Sequence, residues 1–197
     1  MTEFKKLVRS LVLDHWEQHL RQEVSHLPSL RYFHPEYHSL AHPHPILWTA
    51  GANPHEVTKA VVQTKMLSGR YRVASLTRHF GPDKSGSCPA PCCPSTEIET
   101  LEHLLVSCPY YRPTREKITR LWTSTEHPSV SVLLLSMLAG PTPALVQFLL
   151  DPSINPLVIS MTDKHGKGPL LVLFHMTRSW CYSIHIQRTK LLKKFNF

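Results

Sequence analysis

The chain has 197 residues, 42% of them hydrophobic and 18% charged, which is apolar enough for a folded core and too sparsely charged for a disordered chain. Lys and Arg outnumber Asp and Glu by 22 to 14, giving a formal net charge of +8 with 14 histidines besides, a balance that favours polyanions, most simply nucleic acid. No apolar run is long enough to span a bilayer, and the N-terminus lacks a secretory apolar core. The expectation is therefore an intracellular protein, nuclear or cytoplasmic, not secreted and without membrane association. In that setting clustered cysteines serve as metal ligands rather than disulfides, and the odd total of five agrees.

Seventeen prolines against seven glycines imply many short segments with Pro-marked ends. Residues 3 to about 25 read as an amphipathic helix, with Phe4, Leu7, Leu11, Leu20 and Val24 on one broad face with Trp16, expected to pack on the rest of the domain. Residues 27–54 are rich in Pro and His, and repeated X-Pro steps favour an extended strap carrying Tyr32, Phe33, Ile46, Leu47 and Trp48 across the helices. His34, His38, His42 and His44 crowd this strap, but their irregular spacing, without matching Cys or carboxylate ligands, disfavours a second metal site there.

A helix begins near Pro54 and breaks at Gly69, and another runs from about Tyr71 to His79. Lys65, Arg70, Arg72 and Arg78 give this region a basic face, readable as phosphate contacts or as a solvated helix surface. Helical pattern resumes at Glu97–Val106 and from Pro109 or Pro113 to Trp122. It continues in three short segments (Val130–Leu138, Pro143–Leu150, Asn155 to about Lys164) and in a last helix from about Pro169 to Lys194 with Leu170, Leu173, Phe174, Cys181, Ile184 and Leu191 as its apolar stripe. No useful strand alternation appears, so the fold is expected to be mainly α. Its three stretches are 1–53 (helix and strap), 54–126 (basic helices and cysteine module) and 127–197 (C-terminal helices).

Four of the five cysteines fall between Cys88 and Cys108, with His103 among them. Two Cys, a spacer, then His and Cys form a zinc-knuckle (CCHC) pattern, and zinc in structural sites takes a closed tetrahedral shell of thiolate and imidazole. Cys88, His103 and Cys108 supply three ligands, and the fourth is Cys92 or Cys93. His103 and Cys108 are five residues apart, about 140° round an ideal helix, so the helix is expected to end between them, as Pro109 allows. A full shell leaves no place for water and marks structural Zn2+. On the last helix Cys181 and His185 share a face as a potential thiol–imidazole pair, but core packing is the stronger expectation. Arg178, Arg188, Lys190, Lys193 and Lys194 make the C-terminus basic, for nucleic acid or for the helix dipole.

Lys59-Ala60, Lys65-Met-Leu-Ser-Gly-Arg-Tyr71, the Cys cluster and Glu99-Thr-Leu-Glu-His103 followed by Cys108-Pro109 resemble the C-terminal zinc-binding region of LINE-like, non-LTR retrotransposon reverse transcriptases. Phe148–Pro152 and Thr177–His185 resemble the helical tails of some such elements. The resemblance covers roughly residues 30–195, and its specific part is the cysteine block. It places the metal ligands on Cys88, Cys93 (over Cys92), His103 and Cys108. It implies a module that engages RNA or DNA, with a separate reverse transcriptase polypeptide as a further partner. The paired aspartates of a two-metal polymerase centre are absent, since Asp14, Asp83, Asp151 and Asp163 are isolated, and no endonuclease cluster is visible. The expectation is a binding protein, not an enzyme. The alternatives are a zinc-stabilised protein-interaction scaffold or a remnant without selected function.

Overall fold

The computed structural model describes residues 3–77, 85–124 and 127–194. It is mainly α-helical, and among the described residues the one β-type pairing is an isolated bridge between Ser87 and Ile98. The helices are α1 (Glu3–His26), α2 (Pro45–Trp48), α3 (Pro54–Leu67), α4 (Ala74–Thr77), α5 (Arg112–Thr123), α6 (Pro128–Ala139), α7 (Thr142–Leu150), α8 (Pro156–His165) and α9 (Gly168–Lys194).

Local chemistry sets these boundaries. Asn53 accepts hydrogen bonds from the His55 and Glu56 amides and Pro54 opens α3, so an orphan amide is satisfied and one missing N–H costs nothing. Asn155 caps α8 in the same way, ahead of Pro156. Helix α4 begins at Ala74, later than the pattern from Tyr71 predicts, and Arg78 and His79 lie outside the described residues.

Helix α9 is the post of the domain. Leu170, Leu173, Phe174, Thr177, Arg178, Trp180, Cys181, Ile184 and Leu191 are buried along it, and α3, α5, α6, α7 and α8 all pack against it. The Trp180 ring packs at 4.9 Å against Trp122 of α5, tilted by 37°, and its indole N–H donates to the Leu105 carbonyl at 3.1 Å. From α3, Gln63 donates to the Leu149 carbonyl at 2.7 Å and to Thr177 at 3.2 Å. The buried apolar residues from Tyr32 to Leu191 form one continuous cluster.

Helix α1 departs from expectation: none of its residues is buried. At 100° per residue Leu20 and Val24 lie nearly opposite Phe4, Leu7 and Leu11, so the apolar positions divide between two faces instead of forming one. Leu13, Leu20 and Val24 are half-buried, where α1 meets the short 3-10 turns at Pro28–Leu30 and Pro35–Tyr37. Phe4, Leu7 and Leu11 stay exposed.

The strap from residue 27 is held by Arg31 and Tyr32, both bonded to Glu102, and by Gln147, which donates to the Tyr32 carbonyl at 3.0 Å. Gly69 makes its close approach to α3 possible. It has φ +66°, and a Cβ there would fall 2.6 Å from the Ser29 carbonyl oxygen. Gly69→Ala meets both the left-handed backbone penalty and this collision, and is expected to cost about 2 kcal/mol or more, read as a lowered midpoint in urea denaturation.

Candidate metal centre

The cysteine module is a loop folded back on itself. The Cys88 amide donates to the Glu97 carbonyl at 2.7 Å and the Glu99 amide to the Gly86 carbonyl at 3.0 Å, which closes the loop at the Ser87–Ile98 bridge. Inside it the Cys93 amide donates to Ala90 at 3.0 Å and the Glu97 amide to Pro94 at 2.9 Å. These two turns carry the Cys93 thiol inward and leave Cys92 exposed.

Thr100 then starts a helical turn, its hydroxyl accepting from the His103 amide at 3.1 Å. From His103 to Ser107 the backbone is π-helical, and the Cys108 amide donates to the His103 carbonyl at 2.7 Å. This alters the expected route by which the two residues meet. In a turn closed by an i→i+5 bond, residues five apart overlie each other, so His103 and Cys108 come together through a widened turn. The helix stops at Cys108, whose ψ of 120° suits a residue before proline.

Cys88, Cys93, His103 and Cys108 are thus brought together, their ligand atoms all within 4.8 Å of one another. The Sγ atoms of Cys88 and Cys108 are 3.8 Å apart, those of Cys93 and Cys108 3.6 Å, and Cys93 Sγ is 3.4 Å from His103 Nε2. With bonds of about 2.3 Å to sulfur and 2.1 Å to nitrogen, a tetrahedral shell has edges of about 3.8 Å and 3.6 Å. The cluster can hold a metal ion.

The three thiols share charge unequally. Hydrogen bonding from Cys88, helped by the Tyr110 amide and Cys93, pulls the Cys108 thiol down to about 5 despite burial. The same bond pushes Cys88 up, and burial pushes Cys93 up to about 12. Arg115 donates to the Cys108 carbonyl at 2.8 Å, placing a cation behind the thiolate. Glu97 Oε1 lies 3.1 Å from His103 Nδ1, on the side of the ring away from the sulfurs, but out of line for a hydrogen bond, so Nδ1 has no hydrogen-bond partner.

Around these ligands the Glu99–His103 block has a task for nearly every side chain, which the sequence pattern alone does not assign. Glu99 is fully buried and takes two bonds of 2.7 Å from Arg188 and one of 2.7 Å from the Ala74 amide. Glu102 ties the strap. Leu101 and Leu104 enter the core.

Of the basic residues singled out in the sequence, Lys65, Arg70 and Arg72 are exposed. They flank buried Tyr71, whose hydroxyl meets His185 Nδ1 at 3.0 Å and whose ring carries the Arg188 guanidinium at 5.6 Å. The C-terminal arginines are a correction. Arg178 is buried against Glu56 and Thr49, and Arg188, 11% exposed at its side chain, is paired with Glu99, so both act inside the domain. Cys181 is buried, its thiol donating to the Leu149 carbonyl at 3.6 Å and pushed up to about 12 by that burial. With His185 engaged by Tyr71, no thiol–imidazole pair forms.

Comparison of the chain with protein-family models, with curated proteins and with solved structures gives no match.

Two outcomes are expected. Co2+ added to the reduced protein gives thiolate-to-metal charge-transfer absorption that Cys93→Ser and Cys108→Ser each reduce by about a third or more, that His103→Ala retains with weakened Co2+ affinity, and that Cys92→Ser leaves unchanged. That absorption fades as pH falls, because protons compete with the metal for the same donors. Separately, Glu99→Ala leaves Arg188 buried without a counter-charge and is expected to cost about 3–5 kcal/mol, whereas Glu99→Ala combined with Arg188→Met recovers part of the loss; chemical denaturation measures both.

Proposed function

We propose that the chain is a zinc-stabilised module that binds single-stranded nucleic acid, in keeping with its likeness to the C-terminal region of non-LTR retrotransposon reverse transcriptases. Zinc is the ion chosen because three thiolates and one imidazole at tetrahedral spacing are its preferred structural donors. A closed four-ligand shell leaves the ion no coordination site for a substrate, so its task is to fix the loop against α9.

The observation that carries the nucleic-acid reading is the uneven use of cations. Arg31, Lys59, Arg178 and Arg188 each face a glutamate, whereas Lys65, Arg70 and Arg72 are exposed and make no ion pair among the described residues. Three free cations around a rigid tyrosine anchor, in a protein of net charge +8, form a phosphate-binding surface. A separate reverse transcriptase polypeptide would be the partner that uses such a surface. The scaffold reading has its own support in the exposed Phe4, Leu7 and Leu11 face of α1.

Each phosphate contact to a single strand contributes about 0.7 to the slope of log affinity against log salt. Replacing Lys65, Arg70 and Arg72 together with alanine is expected to reduce that slope by about 2 for an RNA or DNA oligonucleotide, measured by fluorescence anisotropy. An affinity indifferent to salt in the unaltered protein would exclude the phosphate mechanism.

A further inference from the structure

The strap histidines lack a matching ligand pattern in the sequence, yet the fold brings them a carboxylate from 113 residues away. Asp151 sits at the end of α7, 2% exposed. Its Oδ1 accepts from the Ser153 amide at 3.1 Å and the Ser153 hydroxyl at 2.6 Å, which fixes the carboxylate and turns Oδ2 toward the strap. There His38 Nε2 approaches to 2.7 Å and His44 Nε2 to 3.3 Å. The two imidazole centroids are 4.0 Å apart, and the Phe33 ring lies 6.4 Å from each, forming an apolar wall. His34 and His42 stay outside this group: His34 turns to Glu36 and Gln147, and His42 is exposed.

We propose that His38, His44 and Asp151 form a second site for a divalent transition-metal ion, distinct from the cysteine cluster and more open. The three ligand atoms lie within 4.8 Å of one another. With bonds of about 2.1 Å, the 2.7 Å and 3.3 Å edges subtend angles of about 80° and 104° at a common ion, which suits one face of an octahedron or a distorted tetrahedron. Two imidazoles and one carboxylate are donors for borderline ions such as Zn2+, Co2+ or Ni2+.

A second observation points to a ligand. His44 Nε2 is buried and has no hydrogen-bond partner, because the contact with Asp151 is out of line for an N–H donor. A buried nitrogen left so is unfavourable, and an ion between it and Oδ2 satisfies it. Ligation through Nε2 moves the ring proton to Nδ1, which now accepts from the Ile46 amide at 3.2 Å. That cap on four-residue α2 is given up, a small loss against three metal bonds. Three protein ligands leave positions for water or an exogenous anion, and His38 and His44 are 12% and 17% exposed at their side chains, so the ion has an entry path.

The test is a Co2+ titration of the full reduced chain followed by absorbance. The first equivalent fills the thiolate site, with its charge-transfer band. A second equivalent at micromolar Co2+ adds weak visible d–d absorption with no further growth in charge transfer, and shifts the Ile46 amide resonance. His38→Ala and Asp151→Asn remove the second equivalent and leave the first. If Asp151→Asn fails to fold by circular dichroism, His38→Ala decides alone. Saturation at one equivalent, a second equivalent taken up only at millimolar Co2+, or a second equivalent undiminished in His38→Ala overturns the assignment. A variant with Cys88, Cys93 and Cys108 all replaced by serine separates the two sites, since it has no cluster thiolate to give the charge-transfer band and keeps the weak absorption.

Discussion

The fully buried carboxylate of Glu99 is the interaction on which the arrangement of this protein depends. A charge removed from water has to be paired and hydrogen-bonded or it destabilises the fold. Glu99 meets that requirement through the guanidinium of Arg188 on α9 and the amide of Ala74 at the start of α4. It stands four residues before His103 and on the closing side of the Ser87–Ile98 bridge. One ion pair thereby fixes the cysteine module, the basic turn around Tyr71 and the central helix relative to one another. Glu56 does the same at the other end of α9, where Arg178 reaches it and the α2 backbone together.

Burying these arginines has a consequence for the surface. The chain's formal charge is read as though every cation faced solvent, but two of the strongest are neutralised inside the domain. Lys65, Arg70 and Arg72 remain exposed, with no ion pair among the described residues. Because Tyr71 between them is locked under Arg188 and against His185, these side chains project from a rigid base.

The helical architecture is largely legible in the residues. Proline at the first position of helix after helix, Asn at the caps and the three- and four-residue spacing on α9 act within a few residues of backbone, so the local pattern carries them. Three ligands of the cysteine cluster, Cys88, His103 and Cys108, are legible for the same reason, while spacing leaves Cys92 and Cys93 open until the turns at Ala90 and Pro94 bring Cys93 inward. What misleads is a period read over too long a window. In α1, Phe4 and Leu20 look like members of one stripe, but accumulated rotation puts them on opposite sides, and only one side finds a neighbour. The start of α4 at Ala74 and the π-turn at His103 are not legible either, because the first is held by the Glu99 carboxylate and the second by the Cys108 amide bond to the His103 carbonyl, which local propensity does not contain.

The sequence by itself determines a mainly α chain, its helix boundaries and a Cys-rich module with Cys88, His103 and Cys108 as donors. Chain direction and hydrogen-bond capacity are local properties, and they are written in neighbouring residues. The tertiary structure alone decides which cations are left for solvent and that Asp151 comes to face His38 and His44. Each of these depends on where a side chain points relative to an element far away in the chain. That is set by packing around α9, not by spacing along the backbone.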